Sequence, residues 1–245
     1  MNKKLNGHSS NGEGGGLAGS PTELARTADQ DGESTDPDEI EPASSKKLDP
    51  PPQVIADLAA SCVRFVERSV GLTLDYTAET LPLLDHYLAD ARRALLAQSE
   101  TDAKAPIATL PLLSHAAGAY FGEVLRRRYS SWWRAQGDDP MTYRVELSGV
   151  YLAVSPMLFI YEALARGLTL HGDEAALESA QIEMDEEDQK AAAERLALLE
   201  VDDDEYYAPS TRLEAIDVCV DTIRSRRMAD GDPVEMALTP EDYET

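Results

Sequence analysis

From about residue 53 to residue 227 the chain repeatedly sets apolar side chains three and four residues apart, the spacing of helices that bury one face. The most sustained register holds Leu112, Leu113, Ala116, Ala119, Tyr120, Val124 and Leu125. It predicts a helix capped by Thr109, with Pro111 in its first turn, that ends near Tyr129 and Ser130-Ser131. Gly118 and Gly122 lie four apart on that helix, so they share a face and let another backbone come close. Upstream, Ile55, Leu58, Cys62, Val66 and Val70 predict a helix over 53–70, with Gly71 as its left-handed C-cap. Leu84, Tyr87, Leu88, Ala91, Leu95 and Leu96 predict a second over 79–98, where Pro82 fits only in the first turn. Leu72, Leu74 and Tyr76 alternate with polar residues in between, as a short extended piece would.

After the loop Gly137–Pro140 the period shortens to two. Tyr143 to Leu147 alternates, Ser148-Gly149 reads as a turn, and Val150 to Val154 reads as the partner strand. Ser155 and Pro156 open another helix, which Gly167 closes, and 168–170 reads as a short strand. An Ala- and Glu-rich stretch over 173–200 predicts one or two helical pieces, the second capped by Asp185 with acidic residues in its first turn. A last helix over 210–227 carries Leu213, Ile216, Val220 and Ile223 and a capping box of Thr211 and Glu214. These elements predict a predominantly helical α+β fold of about six helices around a small antiparallel β hairpin. The organisation that follows is a disordered Gly/Ser/Pro-rich acidic tail over 1–52, one globular domain over 53–228 and an acidic C-terminal tail over 229–245.

Charge alters this picture because it is placed unevenly. Of a formal net charge of −24, residues 171–245 carry −17, while 53–170 are nearly neutral. Such a field opposes nucleic acid and anionic membrane surfaces and steers a basic protein toward the C-terminal third. Cys62 and Cys219 fall on apolar helical faces, which reads as two buried free thiols in a reducing compartment, with one disulfide between the two helices as the alternative. The basic start Met1–Leu5 runs into polar residues where a signal peptide needs an apolar run. The longest apolar stretch, Gly149 to Ala165, is interrupted and too short to span a bilayer. The expected location is the cytoplasm.

Candidate chemistry is sparse, and the reading is non-enzymatic with no cofactor. His8, His86, His115 and His171 are scattered without metal-ligand spacing, and no phosphate loop or nucleophile elbow is present. The acidic runs Asp185–Asp188 and Asp202–Glu205 do not follow a Ca²⁺ loop. Arg126, Arg127 and Arg128 followed by Tyr129, Trp132 and Trp133 form the one cationic and aromatic cluster. One reading makes it structural, with a core Trp and arginines that hold the acidic C-terminal part. The other makes it a binding hot spot, since Trp, Tyr and Arg dominate such sites.

The run Ala119-Tyr-Phe-Gly-Glu-Val-Leu-Arg-Arg-Arg128, the nearby Trp, the Tyr143 strand pair and Pro156 opening a helix resemble a pattern in small cytoplasmic bacterial proteins. Some of those families look like immunity proteins that neutralise a toxin. The resemblance covers Leu110 to Gly167 and the Tyr206-Tyr207 helix, with Ser130-Ser131 where a glycine turn is expected. It implies an α+β module with a protein-binding role and carries over no catalytic residue. The expected function is therefore to bind and restrain a partner protein, basic in character, of the immunity, inhibitor or pre-secretion chaperone kind. Arg126, Arg127, Trp132 and Trp133 would anchor that partner, and Asp202, Asp203, Asp204 and Glu205 would steer it. The alternatives are a small enzyme with a pocket of His86, His115 and Glu123, and an acidic DNA mimic.

Overall fold

The computed structural model describes residues 49–102, 105–168, 182–202 and 205–244. Its helices are α1 (Gln53–Val70), α2 (Leu81–Thr101), α3 (Ala105–Arg128), α4 (Pro156–Ala165), α5 (Glu186–Leu196) and α6 (Pro209–Asp230). Its strands are β1 (Ser131–Arg134), β2 (Arg144–Leu147), β3 (Leu152–Val154) and β4 (Glu183–Met184), which form one antiparallel sheet in the order β1-β2-β3-β4. The fold is a helical α+β fold, as the sequence pattern predicts. Among the described residues no helix is long and apolar enough to cross a membrane.

Helix α3 is the centre. From Ala116 to Arg126 nearly every side chain is buried, because α1, α2, α4 and the sheet cover it on several sides. The two glycines explain how closely it is approached. A Cβ on Gly118 would lie 2.5 Å from the Met157 Cα of α4, and one on Gly122 would enter the Trp133 indole. α1 buries Ile55, Ala59, Cys62 and Val66 and ends at Gly71 with φ 77°, a left-handed C-cap.

Several expectations need correction. α3 starts at Ala105, so Thr109 is not its cap and Pro111 lies inside it. Leu110 is 1% exposed and anchors that turn in the core, and this burial outweighs the hydrogen bond that proline forfeits. Leu112, read as core, is 52% exposed, because it lies on the face opposite Leu110 and Ser114, which are buried one helical turn apart. Residues 72–75 join no strand, and the chain bends at 76–77, with Tyr76 at φ 66°. The Tyr76 N–H donates to the Tyr120 hydroxyl at 2.9 Å, its ring stacks on Tyr120, and Arg127 covers the ring's other side at 4.0 Å. These contacts hold a conformation that aromatic residues rarely adopt. The hairpin is one half of a larger sheet, because Trp132 and Trp133 lie on a further strand, β1, that pairs with β2.

Thr211 and Glu214 form no capping box, because α6 begins two residues earlier at Pro209. Its N-terminus is capped from α2 instead: Asp85 accepts from the Ser210 N–H at 3.2 Å and from its hydroxyl at 2.5 Å. The segment expected as an acidic tail packs onto the sheet. Met236 and Leu238 N–H groups donate to Gly149 and Ser148 carbonyls, and a final 3₁₀ turn (Pro240–Tyr243) buries Tyr243 to 2% exposure. Residues 1–48, the strand read at 168–170 beyond Leu168, and the first part of the 173–200 helix lie outside the described residues.

The Gly118 contact gives a direct test. Replacing a helical glycine by alanine gains up to ~1 kcal/mol of helix propensity. Here the new methyl meets backbone of α4, and such overpacking costs about 1–3 kcal/mol. Gly118→Ala should therefore lower the urea unfolding midpoint, whereas a Gly→Ala change at a site of open space and ordinary helical φ would raise it.

Candidate partner-binding site

The Arg and Trp cluster resolves into two buried carboxylate centres, one on each face of β1. Trp133 points toward α3, where its indole N–H donates to Glu123 Oε1 at 2.8 Å. The same oxygen accepts from Arg126 at 2.8 Å, and Arg126 also donates to the Asp49 carbonyl at 2.7 Å. Trp132 points the other way, and its indole donates to Glu146 Oε2 at 2.7 Å. Glu146 is fully buried and also accepts from Arg134 at 2.5 Å and Arg144 at 2.7 Å. Those two arginines reach on to the Pro240 and Tyr243 carbonyls, and the Tyr243 hydroxyl meets backbone of Leu147, Val150 and Leu152. Trp132 lies edge-on against Tyr243, and Tyr151 stacks on it at 4.7 Å.

This geometry corrects the expected anchor. Arg126 and Trp133 are 3% and 8% exposed and serve the core, and Trp132 is half-covered by the C-terminal segment. Arg127 is exposed but lies over Tyr76. Arg128 holds α6 through a bidentate pair with Asp217 at 2.6 and 2.7 Å. Of the acidic run, Asp202 and Glu205 are exposed, and Asp203 and Asp204 lie outside the described residues.

The histidine–carboxylate pocket does not assemble. His86 is exposed and pairs with Asp90, and the cavity beside it, about 690 Å³, is lined by neither His115 nor Glu123. Glu123 is enclosed by Arg126 and Trp133. Burial holds the His115 imidazole below the usual histidine pKa, with Asp139 acting weakly against it. Cys62 and Cys219 are free, buried thiols, pushed by burial up to about 12 and about 11. Among the described residues no group of three or more His, Cys, Asp or Glu is placed to hold a metal ion.

A second cavity, a groove of about 710 Å³, lies between α5 and α6. Its walls include Phe159 from α4, Met184 from β4, Ala192 and Leu196 from α5, and Ala215 from α6. The chain between α5 and α6 adds Leu199 and Tyr206, which are 45% and 46% exposed, and the neighbouring Leu198 is 80% exposed. At the floor Arg212 is 8% exposed, paired with Glu162 at 2.9 Å and packed between Tyr206 at 4.1 Å and Phe159 at 5.0 Å. Its Nε is buried without a hydrogen-bond partner among the described residues. Glu200 and Glu214 line the rim, both exposed and outside the ion pairs among the described residues. Helical periodicity did not reveal this site, because its walls come from four elements. The legible signals were the Ala191-Ala192-Ala193 run and the adjoining Leu198-Leu199 before an acidic run.

Neither protein-family models, nor curated proteins, nor solved structures yield a match to this chain.

Two measurements test this account. Glu146→Ala leaves Arg134 and Arg144 without their shared carboxylate, a loss of about 3–5 kcal/mol for a buried pair. Hydrogen exchange should then rise across 236–244, whose carbonyls those arginines hold. The His115 shift sets a sign for pH. A depressed histidine pKa means that the unfolded chain takes up a proton on acidification before the folded chain does. The contribution of His115 to stability should therefore fall as pH drops through the usual histidine range, and His115→Gln should flatten that part of the thermal-unfolding profile.

Proposed function

We propose that the protein acts without catalysing a reaction, by binding another protein and restraining it, in the cytoplasm. The apolar groove between α5 and α6, rimmed by carboxylates that form no ion pair among the described residues, is the observation that carries this reading. Apolar surface left open beside exposed leucines is unfavourable in water and marks a contact surface when it is contiguous and rimmed by polar groups. Glu200, Asp202, Glu205 and Glu214 lie exposed at or near that surface, in a stretch, 171–245, whose net charge of −17 speeds encounter with a basic partner. Two buried free thiols suit a reducing compartment. The partner-neutralising role implied by the immunity-like resemblance agrees with this reading, with the anchor moved from the Trp pair to the groove.

The test is capture by the full-length protein from native lysate of its source cells, compared with an Ala193→Gln, Leu199→Ser variant. Both positions are exposed on the groove wall, so the variant should fold normally by circular dichroism. One stoichiometric partner is expected on the intact protein and absent from the variant, and the purified partner's own activity should fall in proportion to added protein. A partner retained equally by the variant, or one whose activity is unchanged, would sink the proposal.

A further inference from the structure

The groove also constrains what enters it. We infer that the occupant is an amphipathic helix of the partner, with an apolar stripe facing the groove and Lys or Arg on its flanks. This rests on the binding reading above and adds the chemistry of the bound segment.

Backbone hydrogen bonding is the first constraint on the occupant. The long walls of the groove are helices α5 and α6, whose N–H and C=O groups are already bonded along their own axes. A strand laid between them would bury backbone donors and acceptors with nothing to meet, at a cost comparable to losing each hydrogen bond. The sheet offers little relief, since the adjoining strand β4 spans two residues, Glu183 and Met184. A helix satisfies its own backbone and brings only side chains, in the manner of helix-in-groove recognition.

Side-chain size is the second constraint. Beside the buried Ala192, α5 presents the exposed Ala193 to the groove, and α6 presents Ala215, where leucine would fill more of the space. Methyl-lined walls leave room for large apolar side chains spaced one turn apart on the occupant. Leu196, Leu199 and Tyr206 supply the surface that those side chains cover.

Charge sets the third. Arg212, the cation at the floor, is 8% exposed, paired with Glu162 through one terminal nitrogen and packed between aromatic rings, and its Nε is buried without a hydrogen-bond partner among the described residues. The accessible charges on the rim are Glu200 and Glu214, with Asp202 and Glu205 exposed nearby. All four repel an acidic occupant and favour a basic one.

Fluorescence anisotropy with designed peptides tests this on the full-length protein. Three 18-residue probes share one length: a Leu/Lys amphipathic helix, a Leu/Glu helix with the same apolar stripe, and the Leu/Lys sequence broken by a central proline. The Leu/Lys helix should bind and gain helicity, and the other two should bind at least about tenfold more weakly, a difference of about 1.4 kcal/mol or more. Binding should weaken by a similar factor with Ala193→Gln, Leu199→Ser, and in Glu200→Lys, Glu214→Lys, and it should weaken as salt rises. Equal binding of both charge types would overturn the basic character, and equal binding of the proline-broken peptide would overturn the helix. No binding of any probe, or a concentration-dependent dimer in sedimentation that Leu199→Ser abolishes, would overturn the occupant altogether. In each such case lysate capture that still depends on Ala193 and Leu199 would leave the binding function standing, so the two failures are distinguishable.

Discussion

The structure depends on two carboxylates that cannot be exposed to water. Glu123 and Glu146 sit on opposite sides of β1, and each is held by the indole of one of two adjacent tryptophans and by arginine. An ionised carboxylate removed from water survives only where several donors replace its hydration. Those donors lie at fixed heights along a strand whose side chains alternate. Slipping β1 by one residue against β2 would swap the indoles between faces, leaving Glu123 with Arg126 alone and Glu146 without its matched indole. The register of the sheet, the seating of the sheet on α3 and the docking of the C-terminal segment are thereby coupled to one dipeptide.

The same logic accounts for the charge distribution. The arginines of the described chain largely tie elements together: Arg126 to residue 49, Arg128 to α6, Arg134 and Arg144 to the C-terminal turn, and Arg226 from α6 to Glu187 and Asp188 of α5. With 46 acidic against 22 basic residues, cations spent internally leave the surplus of carboxylates facing outward. The external field is then negative as a consequence of how the interior is held, and it lies across the last third because that third has few cations of its own.

Much of this fold was legible because helices with tertiary partners keep a 3.6-residue apolar period. α1, α2, α4 and α6 lie within a few residues of where their patterns placed them, and Gly118 and Gly122 mark a close approach as their spacing implied. What periodicity missed has specific causes. β1 is four residues long and holds two tryptophans in succession, so it shows no alternation of apolar with polar. The α6 cap comes from Asp85, far away in sequence, so a local capping-box rule chose the wrong pair. The C-terminal segment carries one buried aromatic, Tyr243, among acidic residues, and composition hides it. For Arg126 and Trp133 the structural alternative, a core Trp, fits their burial, and the carboxylate that encloses them was not legible, because a sequence lists Arg and Trp but not the partners that will surround them.

The groove follows from a different economy of side chains. α5 is tied at its N-terminal end by Arg226 and buries one alanine, Ala192. It is thus a helix positioned by charge more than by packing, and a helix held this way need not fill the space beside it. Filling the cleft would have required leucine or isoleucine where Ala193 and Ala215 stand. Small residues facing each other across two helices, with large apolar ones exposed at the end of the cleft, leave contact area for which this chain's described residues supply no cover. That is the physical reason to look for a second molecule at this face and not at the tryptophans, whose hydrogen bonds are already complete.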